Sequence, residues 1–155
     1  MKHVWVGVFA VLLATGAFAA GIADDLLTPY YVIRESYAKD STAGVPQAAD
    51  TLFTAADAYL RSPGRNAQFV PHLQSIRDGA KQLKSADLKA GRETFKSLSR
   101  SMAHLQRLAG NRKPVVFYCP MAKAYWLQEN ADMSNPYYGK EMLRCGEKVD
   151  PSAVK

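Results

Sequence analysis

The sequence predicts an all-α fold, a four-helix up-down bundle carrying a small C-terminal cap. Three observations predict it. Apolar residues recur at helical spacing over most of the chain before residue 110. Short Gly- and Pro-bearing breaks divide that stretch into four helices. After Pro114 the periodicity gives way to short β-branched and aromatic runs.

The first helix is expected to start at Thr28-Pro29, a capping hydroxyl followed by proline in the first turn. Tyr30, Ile33 and Tyr37 then lie on one face, and Ser41-Thr42-Ala43-Gly44 ends the run. Val45, Ala49, Leu52, Ala56 and Tyr59 form the buried face of a second helix, closed by the loop Arg61-Ser62-Pro63-Gly64-Arg65. A third helix begins near Pro71 and carries Leu73, Ile76, Ala80 and Leu83. Ser85 is the expected N-cap of the fourth, whose stripe is Leu88, Phe95, Leu98, Met102, Leu105 and Ala109. Gly110-Asn111 and Pro114 stop it. None of these helices hides its stripe alone, and antiparallel packing with short loops is the simplest way to bury all four.

In the cap, Val115-Val116-Phe117-Tyr118 reads as a strand that pairs with Tyr125-Trp126-Leu127-Gln128 in a short β-hairpin. Asn135-Pro136-Tyr137-Tyr138-Gly139 reads as a turn, and Lys140–Arg144 has room for one helical turn. The organisation predicted is a leader over residues 1–19, a bundle over 20–112, a cap over 113–148 and a frayed polar tail over 149–155.

The leader is a secretory signal peptide by pattern: a basic Lys2-His3, an apolar run from Val4 to Ala14, and the small-x-small site Ala17-Phe18-Ala19. The run is shorter than the ~20 residues of a membrane span, so no stable span is expected after cleavage. Cleavage after Ala19 removes 19 of the 155 residues and one of the 20 Lys and Arg, leaving 136 residues with 19 basic and 14 acidic side chains. That is one domain with a periplasmic or secreted destination. The basic residues are spread along helices among Asp78, Asp87 and Glu93, which reads as solvated surface and not as a nucleic-acid stripe.

Chemistry concentrates in the last quarter of the chain. Both cysteines lie there, each with a methionine nearby: Cys119 with Met121, and Met142 with Cys145. Residues two apart share a strand face, and residues three apart share a face of a helical turn, so two sulfur pairs can converge. Thiolate plus thioether is the set that Cu(I), and Ag(I) with it, selects. The competing reading is a Cys119–Cys145 disulfide stapling an interaction module that binds no metal. An even cysteine pair in an oxidising compartment points that way, and closing a loop of roughly 27 residues stabilises by about 3–4 kcal/mol. His104 lies on a flank of the fourth helix with Ser97, Ser101 and Leu108, where small residues let the cap approach, so its imidazole is a candidate ligand. His72, beside Pro71, is a weaker one.

The block Cys119-Pro120-Met121-Ala122, Tyr125-Trp126-Leu127, Asn135-Pro136-Tyr137-Tyr138-Gly139-Lys140, Met142-Leu143, Cys145-Gly146 resembles the C-terminal signature of a poorly characterised family of exported bacterial domains. That family occurs alone and fused to periplasmic adaptor subunits of copper/silver-type heavy-metal efflux pumps. Arg92-x-x-Phe95-x-x-Leu98-Ser99 and Ala23-Asp24-Asp25-Leu26-Leu27-x-x-Tyr30 resemble its earlier segments. Tyr118-Cys119-Pro120-Met121 is also similar to the core of small heavy-metal-binding modules, which continue with His-Pro where this chain has Ala122. The resemblance implies copper handling outside the cytoplasm, a metal ion as ligand, and an efflux adaptor or other envelope protein as partner. It implies Cys119, Met121, Met142 and Cys145 as ligands. Tyr125, Trp126, Asn135, Pro136, Tyr137 and Gly139 are carried over as residues that shape the cap.

Other chemistries lack their motifs. No Cys-x-x-Cys-His is present, which excludes covalent haem c. A non-covalent haem between Met102 and a histidine stays open, although Met102 fits the core better. No nucleophile triad, paired-carboxylate motif, phosphate loop or metallohydrolase helix occurs, so no enzyme is expected.

Overall fold

The computed structural model describes residues 18–110 and 113–155, with side chains from residue 24 onward. The predicted leader lies outside the described residues apart from Phe18 and Ala19. Four helices come first: α1 (Phe18–Ala38), α2 (Val45–Arg61), α3 (Val70–Leu83) and α4 (Leu88–Leu108). Three strands follow: β1 (Val115–Cys119), β2 (Ala124–Gln128) and β3 (Glu147–Val149). Single 3-10 turns at Gly139–Glu141 and Pro151–Ala153 flank β3.

The fold is α+β, which corrects the all-α expectation. The strands form one antiparallel sheet in the order β2-β1-β3. Its role is structural and not appended. Each helix packs along its neighbour in sequence, but α1 meets α4 only sparsely, and β2 lies on α4 instead. Every residue of β2 is buried. A strand covered on both faces belongs to the core.

The tail expected to fray is ordered. β3 pairs with β1 through Val116↔Val149, Phe117↔Lys148 and Tyr118↔Glu147. Val154 beyond it is only 4% exposed. Glu147 and Lys148 disguise this strand, because charged residues are what an exposed edge strand carries.

Two helix starts also differ from expectation. Pro29 sits inside α1, whose helix already runs from Phe18, and Thr28 Oγ1 donates to Asp24 O at 3.2 Å. Asp87 rather than Ser85 caps α4, with its side chain accepting from Ala90 N at 2.8 Å. The break after α1 follows the predicted loop, with Gly44 in the left-handed region at φ 75°.

Aromatic rings fill the space between α1, α4 and the sheet. Tyr30 stacks on Phe95 at 5.1 Å, and Tyr37 meets the Phe95 ring edge-on at 5.6 Å. Phe95 touches Tyr137 at 6.2 Å, and Tyr137 meets Trp126 edge-on at 6.2 Å. Trp126 stacks on Phe117 at 5.1 Å. Such pairs contribute ~0.5–1.5 kcal/mol beyond their burial. The Tyr30 hydroxyl also pairs with Ser99 Oγ at 2.5 Å and accepts the Leu127 N–H of β2 at 3.0 Å, joining three elements at one buried oxygen. Burial pushes this phenol up to about 12, so it stays protonated at any physiological pH.

At the far end of α1, Arg92 holds the segment after β2 to the helices. Its Nη2 donates to Tyr37 O at 2.6 Å and to Asp40 Oδ1 at 2.7 Å, and its Nε donates to Pro136 O at 2.8 Å. Lys140 N donates to Asp40 Oδ2 at 3.1 Å. Gly139, at φ 54°, passes so close that a Cβ there would stand 2.0 Å from Asp40 Oδ1.

Arg92→Ala removes three hydrogen bonds of this junction, to Tyr37 O, Asp40 Oδ1 and Pro136 O, and should destabilise the protein by about 2–3 kcal/mol; urea unfolding measures this, and an unchanged midpoint would refute the clamp. The hydrogen bond from Arg92, and after it that from Lys140 N, holds the Asp40 carboxyl below its ordinary 3.8. A lowered carboxylate stabilises fully above that ordinary value, and the contribution is lost as pH falls through the folded value. The melting temperature should therefore drop between about pH 5 and about pH 3 by less in Asp40→Asn than in the wild type, and equal drops would remove Asp40 from the acid response.

Candidate metal centre

Cys119 closes β1. Pro120 cannot donate to a ladder, so the strand ends there and Pro120–Lys123 turn the chain into β2. This separates the two residues expected to share a face: Cys119 is fully buried, whereas Met121 is 62% exposed at the tip of the turn. The turn gives Cys119 another partner. The Ala122 N–H donates to Cys119 Sγ at 3.3 Å.

Cys145 arrives from the other side. The expected helical turn over 140–144 is displaced, since the 3-10 turn stops at Glu141. Cys145 N nevertheless donates to Met142 O at 3.0 Å, so Met142 and Cys145 share one hydrogen-bonded turn, both half-buried. Gly146 then runs against Trp126. A Cβ on Gly146 would lie 2.5 Å from Trp126 Cη2 and 3.1 Å from Tyr118 O. Only a residue without a side chain passes there, and that passage brings Cys145 down onto the end of β1.

The result is a pair of thiols. Cys119 Sγ and Cys145 Sγ lie 3.8 Å apart and are not bonded. Desolvation pushes the Cys145 thiol up, and the hydrogen bond and charge of Cys119 push it further.

The residues of the resemblance surround this pair. Asn135, fully buried, donates from Nδ2 to Cys145 O at 2.6 Å and from its backbone N–H to Leu143 O at 2.9 Å. Its Oδ1 accepts Tyr137 N at 2.8 Å. Pro136 offers its carbonyl to Arg92, and the Tyr137 hydroxyl donates to Tyr125 O. Trp126 is buried, with Nε1 donating to Gln128 Oε1 at 2.7 Å. It is a packed indole and not a lid. Tyr125 lies at 4.9 Å from the Tyr118 ring, and its hydroxyl donates to Ala153 O at 3.4 Å.

The histidines lie elsewhere. His104 stacks on His72 at 4.7 Å, its Nδ1 faces Arg107 Nη2 at 3.4 Å, and its ring meets the backbone of Lys155. Desolvation first, then His72, Arg107 and Arg100, push the His104 imidazole down; desolvation and Arg107 do the same to His72. Among the described residues no three His, Cys, Asp or Glu side chains converge as metal ligands, so His104 does not join the thiols. Two contributors escaped the sequence. The Ala122 amide carries no sequence signal, and Asp40 reads as an ordinary loop residue after a helix.

No family model, curated protein or solved structure matches the chain. Among the described residues no helix is long and apolar enough to cross a membrane.

Asn135→Ala removes the side chain that fixes the Cys145 backbone and should cost about 2–3 kcal/mol while making Cys145 alkylate faster with iodoacetamide. An unchanged alkylation rate in a folded variant would show that Cys145 is held by other contacts.

Proposed function

We propose that this protein binds a single soft monovalent metal ion, Cu(I) or Ag(I), between Cys119 and Cys145, and serves copper handling or efflux in the periplasm. The observation that carries the reading is the unbonded approach of the two sulfurs to 3.8 Å. Two sulfurs on one ion at about 2.3 Å each stand at most about 4.6 Å apart, so the 3.8 Å separation lies within the span of one ion, bent enough to leave room for a further ligand. The Ala122 N–H on Cys119 Sγ supports it, because it fixes that sulfur at the end of β1, facing Cys145.

The donor set speaks for a soft ion. Zinc sites are built from three or four Cys, His or carboxylate ligands, and no third such group meets the thiols among the described residues. Two thiolates suit a monovalent soft cation, and Met142, in the same turn as Cys145, is a thioether placed to complete the shell. Met121, exposed at the turn, is suited to first contact with an incoming ion and less to holding it. The resemblance of the C-terminal block to exported domains associated with copper/silver efflux gives the reading its compartment and its kind of partner, an efflux adaptor or other envelope protein.

Titration of the reduced, leader-free protein with Cu(I) against a chromophoric chelator under anaerobic conditions tests it. One ion per chain should be withdrawn from the chelator, and the Cys119→Ser, Cys145→Ser double variant should withdraw none. Met142→Leu should weaken binding more than Met121→Leu, and His104→Ala should leave it unchanged. A wild-type protein that takes no Cu(I) from the chelator would refute the reading.

A further inference from the structure

We propose that Cys119 and Cys145 form a reversible redox pair in which an external disulfide attacks through Cys145, Cys119 resolves, and closure of the internal disulfide expels the bound ion. The release rests on the soft-metal reading above; the thiol chemistry rests on the sulfur geometry alone.

The two sulfurs differ in access but not in reach of one another. Cys119 is fully buried at the end of β1, and Cys145 is half-buried in a turn. A bulky disulfide therefore meets Cys145 first. The 3.8 Å separation puts the second sulfur in contact range of the first, so a mixed disulfide on Cys145 forms beside its own resolving thiol. The Ala122 N–H donated to Cys119 Sγ fixes that second sulfur at the end of β1, facing the first. On the Cys145 side, Asn135 and the Met142–Cys145 turn hold the backbone in place while the side chain reacts.

The steps balance. The Cys145 thiolate attacks one sulfur of the external disulfide, which releases the other half as a thiolate. The Cys119 thiolate then attacks the Cys145 sulfur of the mixed disulfide and releases the remaining half as a second thiolate. Two protein thiols are oxidised by two electrons, one external disulfide is reduced to two thiols, and the two cysteine protons end on the released sulfurs. The metal keeps its oxidation state and leaves because neither sulfur is any longer a thiolate, the form that binds metal.

Oxidised glutathione, added without metal to the reduced leader-free protein, is the probe. Intact mass should fall by two hydrogens with no glutathione retained and no free thiol left, in a protein whose near-ultraviolet circular dichroism stays native. Cys119→Ser should stop at one glutathione on Cys145, and Cys145→Ser should react far more slowly. The oxidised wild type should lose competition for Cu(I), and dithiothreitol should restore it. Wild-type protein that stays folded and keeps glutathione on Cys145, or keeps both thiols free under excess oxidised glutathione, would overturn the redox pair. Internal disulfide with Cu(I) affinity intact would overturn the release. Internal disulfide in a protein whose reduced form never competed for Cu(I) would refute the metal reading, and the release with it, while leaving the thiol exchange standing.

Discussion

The gap between α1 and α4 is filled by rings instead of helix–helix contact, and the position of the thiols depends on that filling. Phe95 on α4 is shared by Tyr30 and Tyr37 from α1 and by Tyr137 from the segment after β2. Tyr137 then sets the edge of Trp126, and Trp126 sets the track of Gly146. Cys145 is the next residue back along that track. The sulfur geometry is thus the last link in a chain of packing contacts that begins on α1. Interiors transmit displacement because they are close-packed, so a change at Phe95 reaches the thiols through three rings.

Polar contacts fix what packing leaves loose. The Tyr30 hydroxyl satisfies a buried N–H of β2 while pairing with Ser99, so the sheet docks in one register. Arg92 does the same from the other end, with one guanidinium reaching α1, the loop after it and Pro136. Asn135 works more locally, joining Tyr137 and Cys145 through its buried side-chain amide and Leu143 through its backbone N–H. Each of these groups is multiply bonded, which is what makes a buried polar group specify an arrangement and not merely tolerate one.

The four helices were legible because their stripes repeat over many residues, and the Gly44 break and the β1–β2 hairpin were legible from turn chemistry and β-branched runs. The α+β class was not. Helical stripes show that each helix has a buried face but not what covers it, and here the face shared by α1 and α4 is covered by β2. β3 escaped because three residues, two of them charged, carry no alternation to read. Within the site, the approach of the Cys119 and Cys145 segments was legible from the sequence, but the shared face of Cys119 and Met121 was not. Sharing a face required the strand to continue through Pro120, and the structure turns there. Sequence spacing had put Met142 and Cys145 in one turn, and the backbone keeps them in one, although by an isolated hydrogen bond and not by a helix.

The four sulfurs of the candidate site differ in exposure, and the proposed roles follow from that difference. A buried thiol, a half-buried thiol in contact with it, a half-buried thioether in the same turn and an exposed thioether at the surface form a gradient from solvent inward. Thioethers bind soft ions without charge and without a proton to lose, so they exchange ligands at any pH, whereas thiolates hold the ion but must first be deprotonated. Cys145, whose thiol is pushed up by desolvation and by Cys119, would on the proposed reading be where proton and metal compete. On the proposed metal reading, such a site would resist filling by chance cations. It would take an ion soft enough to displace that proton, and the proposed disulfide closure would give the ion up by drawing the same sulfur into another bond.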